Sequence, residues 1–270
     1  MKIFPAMNVL SEIIAKKRQR VEEAKEHFPL TEVRRASKPH ALRAALRAEG
    51  INIIAEFKRR SPSKGVIRAD ADLSQIVKSY EVGGAVGISV LTEEDYFDGS
   101  LDDLRTVKST VDLPVLRKDF VFDEYQVHES AAAGANAILL IVAALDDETL
   151  SRLRRVAEDE LGMDALVEVH TSEEMKRAVT SGATLIGVNN RDLRTFEVSL
   201  NTSLSLAREA PPEALLISES GLRGPDDLRR LREAGYHGFL IGETLMRADS
   251  PEDTLRNFVG AALRGRPSLK

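Results

Sequence analysis

The sequence predicts an α/β fold: a single (β/α)8 TIM barrel carrying an N-terminal helical extension of about 45 residues. Three observations predict it. Eight short apolar runs rich in β-branched residues are centred near 53, 88, 115, 139, 167, 186, 216 and 240. Segments with helical charge and spacing lie between them, as in repeated strand–helix units. Several of those segments end at a glycine just before the next run, the residue that takes the left-handed turn past a helix.

The elements follow in order. Residues 1–48 contain no strand-like run, but Leu10, Ile13, Ile14, Val21 and Ala24 share one helical face within a strongly charged segment. A second short helical pattern runs from Ala41 to Ala48. Strands are expected at Ile51–Phe57, Val86–Leu91, Pro114–Leu116, Ala137–Val142, Ala165–Val169, Thr184–Val188, Ala214–Ile217 and Gly238–Ile241. Several are apolar throughout, as strands covered on both faces are. Helices are expected at Leu73–Tyr80, Leu101–Lys108, Glu148–Asp159, Ser172–Thr180 and Asp226–Glu233. A doubly wound open sheet is the rival fold. It would more often show a Gly-rich turn after its first strand, whereas Phe57 is followed by Lys-Arg-Arg-Ser-Pro-Ser. The expected organisation is therefore an extension over 1–48 packed on a catalytic barrel over 49–270.

Composition removes whole function classes. With no cysteine, disulfides, thiolate metal sites and cysteine nucleophiles are excluded. The 38 basic and 43 acidic residues give a net charge of −5, with no footprint for nucleic acid. The longest apolar run, Ala137 to Leu145, is less than half of the about twenty residues a membrane-spanning helix needs. The first ten residues are followed by Lys16, Lys17 and Arg18 without a continuous apolar core, so no secretory signal is read there. The expectation is a soluble cytoplasmic protein.

In a barrel of this kind the active site lies where the strands run out at their C-terminal ends. That edge holds Glu56 and Lys58, Lys118 and Asp119, Glu168 and His170, Asn189 to Asp192, Glu219 to Gly221, and Gly242. Alternation places Ile54, Glu56 and Lys58 on one face, and pairs Leu116 with Lys118, Leu166 with Glu168 and Ile217 with Glu219. If those faces point inward, three carboxylates and two ammonium groups meet in one mouth. Such charges are costly to bury unless paired, and they shift one another's pKa values toward acid–base use. A lysine beside other cations or partly desolvated is expected to have a lowered pKa. His170, one residue beyond Val169, reads as structural. Gly221 and Gly242 each sit at a strand end before a helix, in the two loops where barrels often bind phosphate. A tight turn would explain each glycine equally well.

These residues carry a resemblance. Ile54 to Gly65, reading Ile-Ala-Glu-Phe-Lys-Arg-Arg-Ser-Pro-Ser-Lys-Gly, resembles the first-strand signature of the indole-3-glycerol phosphate synthase family. Pro114-Val-Leu-Arg-Lys-Asp-Phe120, Leu166-Val-Glu-Val-His170, Gly187-Val-Asn-Asn-Arg-Asp-Leu193 and Ser218-Glu-Ser-Gly221 are similar to its later strand-end motifs. So are Leu91-Thr-Glu93 and Tyr96-Phe-Asp-Gly-Ser100, and the likeness spans about residues 7 to 258.

The resemblance implies ring closure of 1-(2-carboxyphenylamino)-1-deoxyribulose 5-phosphate to indole-3-glycerol phosphate, with release of carbon dioxide and water, in tryptophan biosynthesis. It implies Lys118 as general acid toward the keto oxygen and Glu168 as the acid–base group for later proton removal. Lys58 would engage the substrate carboxylate and assist dehydration, and Glu56, Asn189, Glu219 and Ser220 would position the reacting groups. Ser61, Gly221, Gly242 and Glu243 fall at the implied phosphate site, the last through its backbone. From the residues themselves, Phe97 and Phe120 could flank an aromatic ring, although either alone also reads as ordinary core, and Arg191 joins the substrate-binding set. By the resemblance the N-terminal helix would cross the mouth and border the ring; an outer helix patch or a dimer contact is the other reading. The barrel from Ile51 onward is expected to fold without it, even with residues 1–45 deleted. The expected partner is a small phosphorylated substrate, with no cofactor, metal, nucleic acid or membrane, and a monomer or weak homo-oligomer. Two other readings stay open: another sugar-phosphate barrel lyase, such as an aldolase with a Schiff base on Lys58 or Lys118, and a noncatalytic phosphate-binding barrel. The related isomerase of the same pathway uses a cysteine base, which this chain lacks.

Overall fold

Eight apolar runs close into an all-parallel barrel in the computed structural model, which describes residues 7–27, 35–36 and 38–263. Residues 1–6, 28–34 and 37 of the expected extension, and 264–270 of the expected barrel domain, lie outside the described residues. The strands are β1 (Asn52–Phe57), β2 (Gly87–Leu91), β3 (Val115–Lys118), β4 (Ala137–Ile141), β5 (Asp164–Val169), β6 (Leu185–Asn189), β7 (Leu215–Glu219) and β8 (Gly238–Ile241). Each pairs with its sequence neighbours, and β8 returns to β1 with Asn52 opposite Gly238 and Ala55 opposite Ile241.

Alternation along the strands sorts the core into two layers. Ile54, Leu116, Leu139, Leu166, Leu185, Ile217 and Leu240 fill the barrel interior. Their neighbours Ile53, Val115, Ile138, Val167, Ile186 and Phe239 pack outward against the helices. The residues two positions after the inner set therefore emerge on the inner face at the C-terminal rim. That places Glu56, Lys118, Glu168 and Glu219 there, with Asn189 two residues after Gly187 on the same face of β6.

The helices are α1 (Met7–His27), α2 (Ala41–Leu46), α3 (Leu73–Val82), α4 (Leu101–Thr110), α5 (Glu124–Ala132), α6 (Asp147–Arg155), α7 (Ser172–Thr180), α8 (Asn201–Leu206), α9 (Pro225–Glu233) and α10 (Pro251–Leu263). Their starts are set by side chains accepting from exposed backbone N–H groups: Asp72 from Gln75, Ser100 from Asp103, Asp146 from Thr149 and Thr171 from Glu174. α5 has no apolar stripe in the sequence, and its inner face explains why. Gln126 and Ser130 are fully buried beside Val127, because this face serves the Arg117 guanidinium rather than an oily core. The expected helix Glu148–Asp159 ends at Arg155 and continues as a π-turn over Val156–Glu160. That turn carries Glu158 inward to pair with Arg43 and Arg154. A short hairpin, Arg60–Ser61 against Gly65–Val66, follows β1 and was not legible as a strand pattern.

The two helices before β1 lie at opposite ends of the barrel. α2 closes the floor: Leu42 and Leu46 are fully buried and join the interior layer. The Asn52 amide donates to the carbonyls of Leu46, Ala48 and His237, and the Arg43 backbone N–H to Asp164 at the start of β5. The sheet closes without these residues, but the interior is not filled without them. α1 lies over the other end, on the loops after β2 and β3. Arg20 binds Asp95 through two hydrogen bonds, Lys25 reaches Asp123 at 2.8 Å, and Ile13 and Val21 are buried. No described helix is long and apolar enough to cross a membrane.

Leu46→Ala should cost about 2–5 kcal/mol, as for other buried leucines, because the floor cannot collapse onto the vacancy. Urea unfolding followed by far-UV circular dichroism measures it. An unchanged midpoint would mean that α2 is not part of the folded core.

Candidate active site

A cavity of about 490 Å³ opens at the C-terminal ends of the strands, a size suited to a small organic ligand. Of the residues singled out from the sequence, Glu56, Lys58, Ser61, Phe97, Lys118, Phe120, Glu168, Asn189, Arg191, Glu219, Ser220, Gly221, Gly242 and Glu243 line it, whereas His170, Asn190 and Asp192 do not. Leu10 and Ile13 of α1 complete one wall. The Phe97 and Phe120 rings are tilted to each other with centroids 6.3 Å apart on that wall.

The charged groups converge on Lys118. Its Nζ lies 3.2 Å from Glu168 Oε2 and 3.4 Å from Glu219 Oε2. Lys58 Nζ pairs with Glu56 Oε1 at 2.6 Å beside them. Burial works against the Lys118 charge, yet Glu168, Glu219 and Glu56 outweigh it and hold its pKa above that of an ordinary lysine. This corrects the expectation of a lowered lysine pKa. The reason is geometric: Lys118 faces three carboxylates rather than another cation.

The two carboxylates beside it diverge. Burial disfavours the Glu168 anion, but Lys118, His170 and a hydrogen bond from Asn189 reverse the balance and lower its pKa. Glu219 is pushed up to about 8, chiefly by burial, with the Glu168 and Glu56 charges adding to it and Lys118 opposing. The two neighbouring carboxyls are thus pushed in opposite directions. The Glu219 Oε1 atom has no hydrogen-bond partner among the described residues. Two neighbouring carboxyls pushed apart in this way offer one acid and one base.

Two glycines make room for these acids. A side chain at Gly187 on β6 would collide with the Glu219 carboxylate, and one at Gly242 after β8 with that of Glu56. The second end of the cavity is lined by Ser220 and Gly221, whose positive φ values of 66° and 78° turn the backbone sharply after β7. The Glu243 carboxylate is engaged by Arg247 at 3.1 Å and lies 3.8 Å from Lys64. Lys64, Arg223 and Arg247 also line this end. The motif reading passed over these three cations because they lie in loops, where a lone basic residue carries no pattern.

The sequence also hid what holds Lys118 in place. β3 alternates Arg117, Lys118 and Asp119, so the residues on either side of Lys118 point away from the barrel axis. Arg117 is fully buried there, bonded to Thr92, the Gln126 carbonyl, Glu129, Ser130 and Asp119. Lys17 of α1 joins them, 2.9 Å from Asp119 and 2.8 Å from Glu94. Burial opposes ionisation of Asp119, but Lys17 and Arg117 hold its pKa far below the usual range. In the sequence Lys17 looks like part of an exposed Lys-Lys-Arg cluster; in the structure it is 3% exposed in the middle of the α1 contact face. His170 does not line the cavity, but its Nε2 lies 3.4 Å from Glu168 Oε1.

Comparison with known proteins agrees with this geometry. A family model described as indole-3-glycerol phosphate synthase matches residues 10–258. A protein of that name from Bacteroides thetaiotaomicron is 44% identical over 258 residues, covering 94% of this chain and 98% of its own. Namesakes from Koribacter versatilis and Carboxydothermus hydrogenoformans are 52% and 45% identical, over 82% and 91% of this chain and 86% and 97% of theirs. Among solved structures, thiamine phosphate pyrophosphorylase from Pyrococcus furiosus superposes with a TM-score of 0.60 at 15% identity, covering 79% of this chain and 96% of that one. That likeness concerns the barrel fold alone. With the family model spanning nearly all of the described chain and relatives this similar along it, the chain belongs to the indole-3-glycerol phosphate synthase family.

Proposed function

We propose that this chain closes the indole ring of 1-(2-carboxyphenylamino)-1-deoxyribulose 5-phosphate, yielding indole-3-glycerol phosphate, carbon dioxide and water in tryptophan biosynthesis. The observation that carries this reading is the Lys118–Glu168–Glu219 cluster at the base of a cavity with an aromatic wall and a cationic far end. Lys118 is the general acid. A fixed ammonium stabilises the keto oxygen as the aromatic carbon attacks the carbonyl carbon, and then supplies that oxygen with a proton. Loss of carbon dioxide restores the ring electrons. The hydroxyl then leaves as water with a proton from Lys58, and Glu168 accepts the proton removed from the adjacent carbon, for which it must be ionised; its lowered pKa suits that task.

Lys58 meets the substrate carboxylate, while Glu56, Asn189, Glu219 and Ser220 orient the reacting groups. Ser61, the Gly221 and Gly242 backbone and the Glu243 N–H take the phosphate, supported by Arg191. Phe97 and Phe120, facing Leu10 and Ile13, enclose the aromatic ring. A Schiff-base aldolase is the weaker reading, because an amine held in its charged form is a poor nucleophile. The same proposal treats residues 1–48 as a helical extension packed on a catalytic barrel of 49–270, acting without cofactor or metal. It places the protein in the cytoplasm, where its charged substrate is made, as a monomer or weak homo-oligomer.

Lys118→Ala should lower kcat by about 10²–10⁴-fold, the usual contribution of a general acid, with the circular dichroism spectrum retained. Indole fluorescence growth on adding the anilino-deoxyribulose phosphate measures it, and near wild-type turnover would remove Lys118 from this role. Borohydride added with the keto substrate should leave the protein mass unchanged; a trapped adduct would favour the aldolase. Gly221→Asp should raise KM at least tenfold, since one added charge repels the phosphate dianion by more than about 1.4 kcal/mol at close range. An unchanged KM would place the phosphate elsewhere.

A further inference from the structure

Behind Glu168, on the side away from the cavity, the chain builds a second partner for that carboxylate. His170 follows β5 and turns its ring back toward the barrel, with Nε2 3.4 Å from Glu168 Oε1. Its other nitrogen, Nδ1, lies 3.1 Å from Glu174 Oε2, and the His170 backbone N–H donates to the same oxygen at 2.7 Å. Glu174 is fixed in turn in the first turn of α7, where its own N–H is capped by Thr171. The Glu168 carboxylate is thus gripped at both oxygens: Oε2 by Lys118 from the cavity, Oε1 by the imidazole from behind.

We propose that His170, held by Glu174, is a positioning residue that keeps Glu168 ionised and aimed when Lys118 turns to the substrate. The proposal rests on the reading of Glu168 as the proton acceptor. Once Lys118 engages the keto oxygen, Glu168 loses its nearest cation. A buried carboxylate without a cation takes up a proton and can no longer act as base. His170 is a cation that the substrate cannot draw away, because it does not line the cavity.

The charged groups facing His170 are all acidic. Glu168 comes from β5, Glu174 from α7 and Glu219 from β7, and Asp192 in the loop after β6 also feels its charge. Burial disfavours the imidazolium, but these carboxylates outweigh it and raise the His170 pKa. The imidazolium in turn lowers that of Glu168. The contact between Nε2 and Glu168 Oε1 is an ion pair at 3.4 Å rather than a hydrogen bond.

Full-length His170→Gln and Glu174→Gln proteins, assayed for indole formation across pH, test this. Both should lose roughly tenfold or more in kcat, the scale of one lost hydrogen bond to a charged group, with little change in KM. The acid limb of the kcat profile should move up by about half a unit or more, because Glu168 then protonates more readily. In Glu174→Gln the His170 ring should titrate at lower pH by ¹⁵N NMR. A lowered melting temperature with unmoved kcat and acid limb in both variants would overturn the proposal and leave His170 a packing residue. Glu168→Gln separates the two readings. If it keeps turnover, the role of Glu168 itself fails; if it is inactive while both other variants match wild type, only the role of His170 fails.

Discussion

The ammonium of Lys118 is what allows two glutamates to be buried side by side at the end of this barrel. Isolated carboxylates 2% exposed would be expensive; a cation within 3.4 Å of both offsets much of that cost. The rest of the mouth follows from the same balance. Three acids and two bases would leave an excess negative charge, and burial with the Glu168 and Glu56 charges pushes Glu219 toward its neutral form. Space is as tight as charge: Gly187 and Gly242 sit where any side chain would strike a carboxylate. A charge cluster of this kind tolerates little displacement, so what holds it still matters as much as its members.

Two supports hold it from behind. Under β3, Arg117 and Asp119 flank Lys118 in sequence and face the helices, where five partners fix the guanidinium. Behind β5, His170 and Glu174 form a shorter chain onto Glu168. The first uses strand alternation, with the inward residue acting and its outward neighbours anchored; the second uses the turn past β5, which brings the His170 ring back onto Glu168. The first support also reaches α1 through Lys17 and Asp119, so the helix that walls the aromatic end is tied to the strand that carries the lysine. A buried ion pair is a poor source of stability but a strict one of geometry, since leaving either partner alone is costly.

The helices before β1 divide their work between the ends of the barrel. α2 fills the floor with Leu42 and Leu46, far from the chemistry, while α1 brings Leu10 and Ile13 to the mouth. Their attachment differs accordingly. The floor is dry and apolar. α1 is held mainly by polar contacts such as Arg20 to Asp95 and Lys25 to Asp123, most of them partly exposed. Contacts of that kind are individually weak and screened by salt, so the position of α1 depends on its buried residues, Ile13, Lys17 and Val21.

By itself the sequence determined the barrel, its strands to within two residues at either end, and the inward parity of Glu56, Lys118, Glu168 and Glu219. Period-two alternation and glycine-punctuated repeats are local properties, and they survive in a linear reading. Tertiary structure alone decided what each charge faces. Lys118 was read as a lysine with lowered pKa, and three acids from β1, β5 and β7 made it the reverse. Lys17 looked solvated and became buried; α5 looked featureless because its inner face is polar; His170 looked merely structural until its ring was seen to turn back on Glu168. Electrostatic environment is set by groups distant in sequence and near in space, and no period along the chain encodes which of them will meet.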